Sequence, residues 1–149
     1  MSVYNREKGR IWGCNDEYIS APRLDDIQCA YSSLMAYIKA LDSISDNYDK
    51  VNVCCVFNNE EVGSTTMQGA DSTFLSDVLE RISIAYGLDR EKYMMAIASS
   101  YMVSADNAHA VHPNHTDKAD LTNRPYMNEG IVIKFNGNQK YTTDSVSYA

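Results

Sequence analysis

The sequence predicts an α/β fold with a largely parallel sheet covered by helices, and three observations carry that expectation. Helix-period and strand-like segments alternate along the chain. The strand-like runs are short and almost continuously apolar, as strands buried on both faces are. No repeat, low-complexity tract or Pro/Gly-rich linker divides the 149 residues, so one domain, or a piece of one, is expected.

The first helix is expected from Asp26 to about Ser43, where Ile27, Ala30, Leu34, Ile38 and Leu41 recur at three- and four-residue spacing. Asp25 or Asp26 stands at its start. Val51 to Phe57, VNVCCVF, is rich in β-branched residues and reads as a buried strand that ends abruptly in Asn58-Asn59-Glu60-Glu61. A second helix is expected over residues 72–86, with Phe74, Leu75, Val78, Leu79 and Ile82 on one side and Gly87 as its terminator. Tyr93 to Val103 reads as another buried strand, running into Ser104-Ala105-Asp106. Ile131 to Phe135 alternates weakly before the turn residues Asn136-Gly137-Asn138. Thr142, Thr143 and Asp144 have the character of helix-start residues with only Ser145 to Ala149 after them, so the chain is expected to stop inside an element.

Thirteen Lys and Arg against twenty Asp and Glu give a net charge of −7, which argues against nucleic acid as a partner because phosphate backbones would be repelled. Residues 1–20 contain no apolar signal core, and no stretch reaches membrane-spanning length; a soluble cytoplasmic protein with no membrane association is expected. Cys14, Cys29, Cys54 and Cys55 show no CxxC spacing and are expected to be buried free thiols.

The acidic residues carry the chemistry. In open α/β sheets, ligands bind in the crevice at the carboxyl ends of the strands. Glu60 and Glu61 directly follow one strand-like run, and Gly63 gives the backbone freedom to turn there. Asp106 follows another run and is trailed by His109 and His112, while Asp25 precedes a helix. Two carboxylates held close repel unless one is protonated or a cation neutralises them, so a metal would make such a pair useful: one could bind it while the other moves protons. The plainer reading stays open beside this, since an Asp before a helix is usually an N-cap and a Glu pair after a strand is usually a solvated turn. His109, His112 and His115 are spaced by three, but Pro113 interrupts any regular ligand-bearing helix, which leaves ordinary loop or hydrogen-bonding roles for His112 and His115.

Four blocks, NDEYISAPRLDD at 15–26, FNNEEVGSTTMQGA at 57–70, SADNAHAVHPNH at 104–115 and IVIKFNGNQKYTTD at 131–144, resemble the aspartyl aminopeptidase family of dinuclear zinc exopeptidases, and they occur in the same order. The preceding SVYNREKGRIWGC resembles the strand region that leads into the family's second catalytic segment. The resemblance implies a three-layer sandwich around a mixed, mainly parallel sheet. Residues 1–149 would then form part of a metallopeptidase catalytic domain. It implies two divalent metal ions, zinc by family, with Asp25 bridging them, Glu61 and Asp106 each binding one, and Glu60 as general base. It also implies that His109 lines the substrate pocket and that Lys134 receives an acidic side chain, so that peptides with N-terminal Asp or Glu are the substrates. Without the resemblance, Lys134 in a strand-like run reads as a solvated face or an edge.

Two departures from the family pattern stand out. The position after Asp25 is commonly Asn in the family and is Asp26 here, which adds negative charge near the metals or caps the helix. The family's histidine ligand to each zinc and its inserted assembly domain fall outside this chain, although full-length relatives are expected to form homo-oligomers. Three carboxylates without an imidazole are expected to hold metal weakly, and this chain is expected to show little activity alone. The competing readings are a non-catalytic degenerate homologue acting as a scaffold or binding module, a related zinc exopeptidase with another specificity, and a simple α/β interaction module.

Overall fold

The structure is a computed structural model that describes residues 3–45, 48–135, 143 and 146. Two strands, three α-helices and one short 3-10 helix are formed: β1 (Arg10–Trp12), β2 (Tyr18–Ser20), α1 (Leu24–Leu41), α2 (Phe74–Ala85), α3 (Arg90–Ala98) and the 3-10 turn Thr116–Lys118. The chain divides into two compact units, residues 1–28 with 106–149, and residues 29–105.

In the first unit β1 and β2 form an antiparallel hairpin in the register Arg10↔Ser20, Ile11↔Ile19, Trp12↔Tyr18. Its last pair is stapled by the Trp12 and Tyr18 rings, 4.9 Å apart between centroids, an aromatic cross-strand contact of the kind that pins register. The connecting loop turns at Gly13 (φ 109°) and Asp16 (φ 54°). Asn128 Nδ2 donates to Glu17 O at 2.9 Å, and Val111 N donates to Pro125 O at 2.9 Å, which ties the later part of the unit to itself and to the hairpin. Asp120 closes a tight turn: its Oδ1 accepts from Asn123 N and Thr122 N at 2.8 Å each and from Thr122 Oγ1 at 2.9 Å. Those donors, the Asn123 amide first, hold its carboxyl below the ordinary aspartate range.

In the second unit α2 and α3 pack as a helical hairpin. Gly87 (φ 74°) ends α2 in a Schellman arrangement: Leu88 N donates to Ser83 O at 3.0 Å and Gly87 N to Ile84 O at 2.9 Å, which satisfies the last carbonyls of the helix. Asp89 then caps α3 by accepting from Lys92 N at 2.9 Å. Tyr93, at 8% exposure, is the one large apolar side chain that is buried among the described residues, and its hydroxyl donates to Ser76 O of α2 at 3.2 Å. Arg90 and Glu80 add an exposed ion pair at 2.8 Å across the same pair of helices. At the end of α1, Tyr37 Oη donates to Asn52 O at 3.3 Å and Tyr48 Oη to Asn52 Oδ1 at 2.6 Å, holding the 51–57 run against the helix.

Several expectations need correction. Residues 93–103 were expected to be a strand, but residues 90–98 are α3. The run is apolar enough for either state, and the Asp89 cap together with the good helix formers Met94, Met95 and Ala96 decides for the helix. The Ser99 and Ser100 hydroxyls then bond back to Met95 and Ala96 carbonyls as the helix ends. Residues 51–57 and 131–135 carry no ladder pairing among the described residues; the hairpin is the one sheet there, and a strand exists only with a partner. The cysteines are not buried: Cys14 and Cys55 are exposed and Cys29 and Cys54 half-buried. Partial burial, with Cys54 beside it, pushes the Cys55 thiol up from its ordinary range. The turn at 136–138 and the helix start at 142–149 lie outside the described residues, apart from Thr143 and Val146. No described helix is long and apolar enough to cross a membrane.

Replacing Tyr93 by Ala should cost the α2–α3 hairpin roughly 2–4 kcal/mol, and replacing it by Phe about 1 kcal/mol, seen as faster amide exchange confined to both helices. Equal protection in all three proteins would show that Tyr93 does not hold the pair together. Asp120 has a depressed folded value, so the stability its turn contributes is present above the ordinary aspartate range near pH 3.9 and is lost as pH falls through the lower folded value. A carboxyl NMR titration of Asp120 should therefore show a midpoint below that of an unstructured aspartate, and Asp120→Asn should abolish the pH dependence of the Thr122 and Asn123 amide shifts.

Candidate metal centre

The geometry begins where β2 feeds α1. Pro22 leads into Arg23, which takes the left-handed conformation (φ 63°) uncommon for a residue with a side chain, and the Arg23 guanidinium lies 5.4 Å over the Tyr4 ring. Asp25 and Asp26 follow with non-helical dihedrals, and regular α1 starts beyond them. The Asp25–Asp26 peptide bond is cis.

Asp106, from the other end of the same unit, meets this corner: Asp25, Asp26 and Asp106 each offer a carboxylate oxygen, and all three lie within 4.8 Å of one another. The segment is fastened there by Asn107, whose Nδ2 donates to Gln28 Oε1 in the first turn of α1 at 3.4 Å. All three carboxylates are exposed. Even in water, unit charges 4.8 Å apart repel by about 0.9 kcal/mol per pair, so the trio calls for positive charge. One cation already stands beside it: Lys134 Nζ donates to Asp106 Oδ2 at 2.6 Å and to Asn107 O at 2.9 Å.

The donor set suits a divalent cation. Oxygens sharing one ion with bonds of about 2.1 Å lie roughly 3.4 Å apart in a tetrahedral shell, so small side-chain rotations would bring these three into range. Among the described residues this trio contains no imidazole. His109 is exposed two residues beyond Asn107. His112 and His115 stack tilted, with ring centroids 5.1 Å apart, and His112 Nδ1 accepts from Asn114 N at 3.1 Å, a loop-stabilising role.

Glu60 and Glu61 lie in the 29–105 unit, on a loop folded tightly on itself. Asn59 takes a left-handed conformation (φ 62°), Gly63 N reaches back to Asn59 O at 2.8 Å, and Gly63 itself has φ 140°, a region closed to most side chains. Asn58 N donates to Gln68 O at 3.0 Å and Asn59 Nδ2 to Gln68 Oε1 at 3.0 Å, so the two glutamates sit at the tip of a loop whose ends are bonded together. Asp71 N completes the fold-back by donating to Ser64 O at 2.9 Å. Gly69 is buried against this turn; a Cβ there would lie on the Ser64 carbonyl, closer than real side chains approach.

Of the four carboxylates expected at one site, Asp25 and Asp106 lie close together in one unit, Glu60 and Glu61 belong to the other, and Gly63 stands at a turn that needs it. The sequence left Asp26 undecided between extra charge and a cap, and Asp26 joins the trio. Nothing in the spacing marks the bond between Lys134 and Asp106, 28 residues apart; opposite charge in two segments is too common a signal.

Known proteins are similar to this chain along its whole length. The family model described as aminopeptidase I zinc metalloprotease (M18) matches residues 1–149. A probable M18 family aminopeptidase 2 of Clostridium acetobutylicum is 50% identical over 149 residues, which is 100% of this chain and 33% of that protein. Aspartyl aminopeptidase 1 of Schizosaccharomyces pombe is 42% identical over 140 residues, 93% of this chain and 29% of that protein. Among solved structures, the crystal structure of prApe1 matches with a TM-score of 0.85 at 31% identity, covering 97% of this chain and 31% of that one. A chain of the Ape4 and Nbr1 complex, solved by cryo-EM, matches with a TM-score of 0.72 at 39% identity, covering 95% of this chain and 27% of that one. The chain thus spans about a third of the length of the curated relatives it matches.

Gly69→Ala should open the 58–72 loop at a cost of roughly 1–3 kcal/mol, because neither the Ser64 carbonyl nor the backbone around it can yield without breaking the Asp71 bond. Amide exchange at Gly63, Gly69 and Asp71 reports it. Unchanged protection at all three would mean the loop has room that its geometry denies.

Proposed function

Because the chain belongs to the aminopeptidase I zinc metalloprotease family (M18), we propose that the protein carrying it is a zinc-dependent aminopeptidase releasing N-terminal acidic residues, with residues 1–149 as part of its catalytic domain. The observation that carries the reading is the convergence of Asp25 and Asp106 from distant parts of the sequence, with Asp26 beside them, on one corner of the fold. Curated relatives named aspartyl aminopeptidase, at 42% identity in S. pombe and 38% in Caenorhabditis elegans, support the preference for an acidic substrate.

In the proposed site Asp25, Glu61 and Asp106 would hold two zinc ions, with Asp25 shared between them. Bound there, the ions would polarise the scissile carbonyl and bring the pKa of a water toward neutrality. Glu60, adjacent to a ligand on a rigid loop tip, accepts the water's proton on its carboxylate and returns it to the departing amine. His109 lines the substrate pocket. The Lys134 ammonium pairs with the carboxylate of the substrate's first side chain, which would favour Asp and Glu over neutral residues.

The proposal extends to architecture: the sheet is a mixed, mainly parallel one in a three-layer sandwich, to which residues 51–57 and 131–135 contribute strands, and the whole protein is a homo-oligomer. The likeness to prApe1 at a TM-score of 0.85 supports the first part of this. A cytoplasmic setting belongs to the same proposal.

Hydrolysis of aspartyl and leucyl amides by the full-length protein tests the reading. With zinc or cobalt supplied, Glu60→Gln should lower kcat roughly 10²- to 10⁴-fold with little effect on KM. Lys134→Ala should cut the preference for the aspartyl substrate by about tenfold or more. Full turnover by Glu60→Gln would remove the assigned base, and an undiminished preference in Lys134→Ala would point to a zinc exopeptidase of another specificity.

A further inference from the structure

One ammonium is asked to do two things. In the proposed function Lys134 receives an acidic side chain, yet in the structure its Nζ is bonded to Asp106 Oδ2 at 2.6 Å and to Asn107 O at 2.9 Å. The position is held from both sides of the chain. Thr143 Oγ1 donates to the Lys134 carbonyl at 2.9 Å, and the Asn107 side chain is bonded to Gln28 in α1. The Lys134 side chain is 31% exposed and that of Asp106 58%, so the pair is reachable by solvent ions.

A divalent cation on Asp106 and an ammonium on the same carboxylate repel, and the carboxylate can satisfy the stronger charge at the expense of the weaker. The three carboxylates need compensation in either state, and among the described residues Lys134 is paired with Asp106 when no metal is bound. We propose that Lys134 is a displaceable counter-ion of the acidic corner: metal binding at Asp106 expels the ammonium from that carboxylate and turns it toward the carboxylate of an acidic ligand. This rests on the ligand assignment of the proposed function and adds to it a coupling between metal loading and recognition of acidic substrates. By reciprocity, whatever draws Lys134 away from Asp106 tightens metal binding.

The test needs no turnover. Cobalt is titrated into the metal-free full-length protein and into its Lys134→Met, Lys134→Arg and Asp106→Asn variants, with heat and the visible absorption of bound cobalt as readouts. In parallel, acetic anhydride labelling of lysines is read by peptide mass spectrometry with and without metal. Lys134→Met should bind metal about two- to fivefold more tightly, the scale of a partly exposed ion pair removed as competitor. Lys134→Arg, which keeps the charge, should stay near the wild type, and Asp106→Asn should lose at least tenfold. Metal should raise labelling of Lys134 while leaving the exposed Lys118 unchanged. If Asp106→Asn loses metal while Lys134→Met binds no better than the wild type and Lys134 labelling stays flat, the counter-ion role is wrong and the ligand assignment stands. If Asp106→Asn binds metal as the wild type does, the assignment itself falls and takes this inference with it.

Discussion

Three carboxylates within a few ångströms of one another need positive charge among them, and the arrangement of the first unit follows from that need. The turn from β2 into α1 puts Asp25 and Asp26 side by side, and the Asn107–Gln28 bond brings Asp106 up to them. Lys134, from a segment of strand-like sequence, pairs by charge with the same corner through Asp106. None of these side chains contributes to a core. Their proximity is what the proposed metal site rests on, in a chain that belongs to a zinc metalloprotease family.

The second unit meets a different constraint by backbone means. Glu60 and Glu61 sit on a loop that is stiff because its amides and carbonyls bond to each other and because two glycines occupy places where side chains fail: Gly63 by conformation and Gly69 by close approach to Ser64. In the proposed function Glu60 is the general base, and a loop closed on itself by Asn58, Gln68, Asp71 and Ser64 would hold it in place by backbone bonds.

How much of this the sequence disclosed depends on the kind of information involved. Local period was legible: α1 and α2 lie within two residues of their expected bounds at all four ends, and Gly87 ends α2 as its position implied. A short apolar run was not legible, because residues 93–103 satisfy strand and helix patterns alike and the Asp89 cap tips the balance. Partnering was not legible either. Residues 51–57 have strand composition, but pairing is a property of two segments, and among the described residues no ladder forms there. For the same reason the apolar faces of α1 and α2 remain exposed at Leu34, Ile38, Phe74 and Ile82 in a chain that spans about a third of its relatives. At the site, Asp25 and Asp106 came from the family's motif order and Asp26 was left between extra charge and a cap, whereas the Lys134 bond came only from coordinates, since long-range contact between charged side chains leaves no periodic trace.

The most direct measurement is anomalous diffraction at the zinc edge from crystals of the full-length protein. Zinc peaks are expected within bonding distance, about 2.0–2.2 Å, of carboxylate oxygens of Asp25 and Asp106, with Glu61 completing the set. Zinc bound instead at His112 and His115, or anomalous density far from Asp25 and Asp106, would contradict the proposed site.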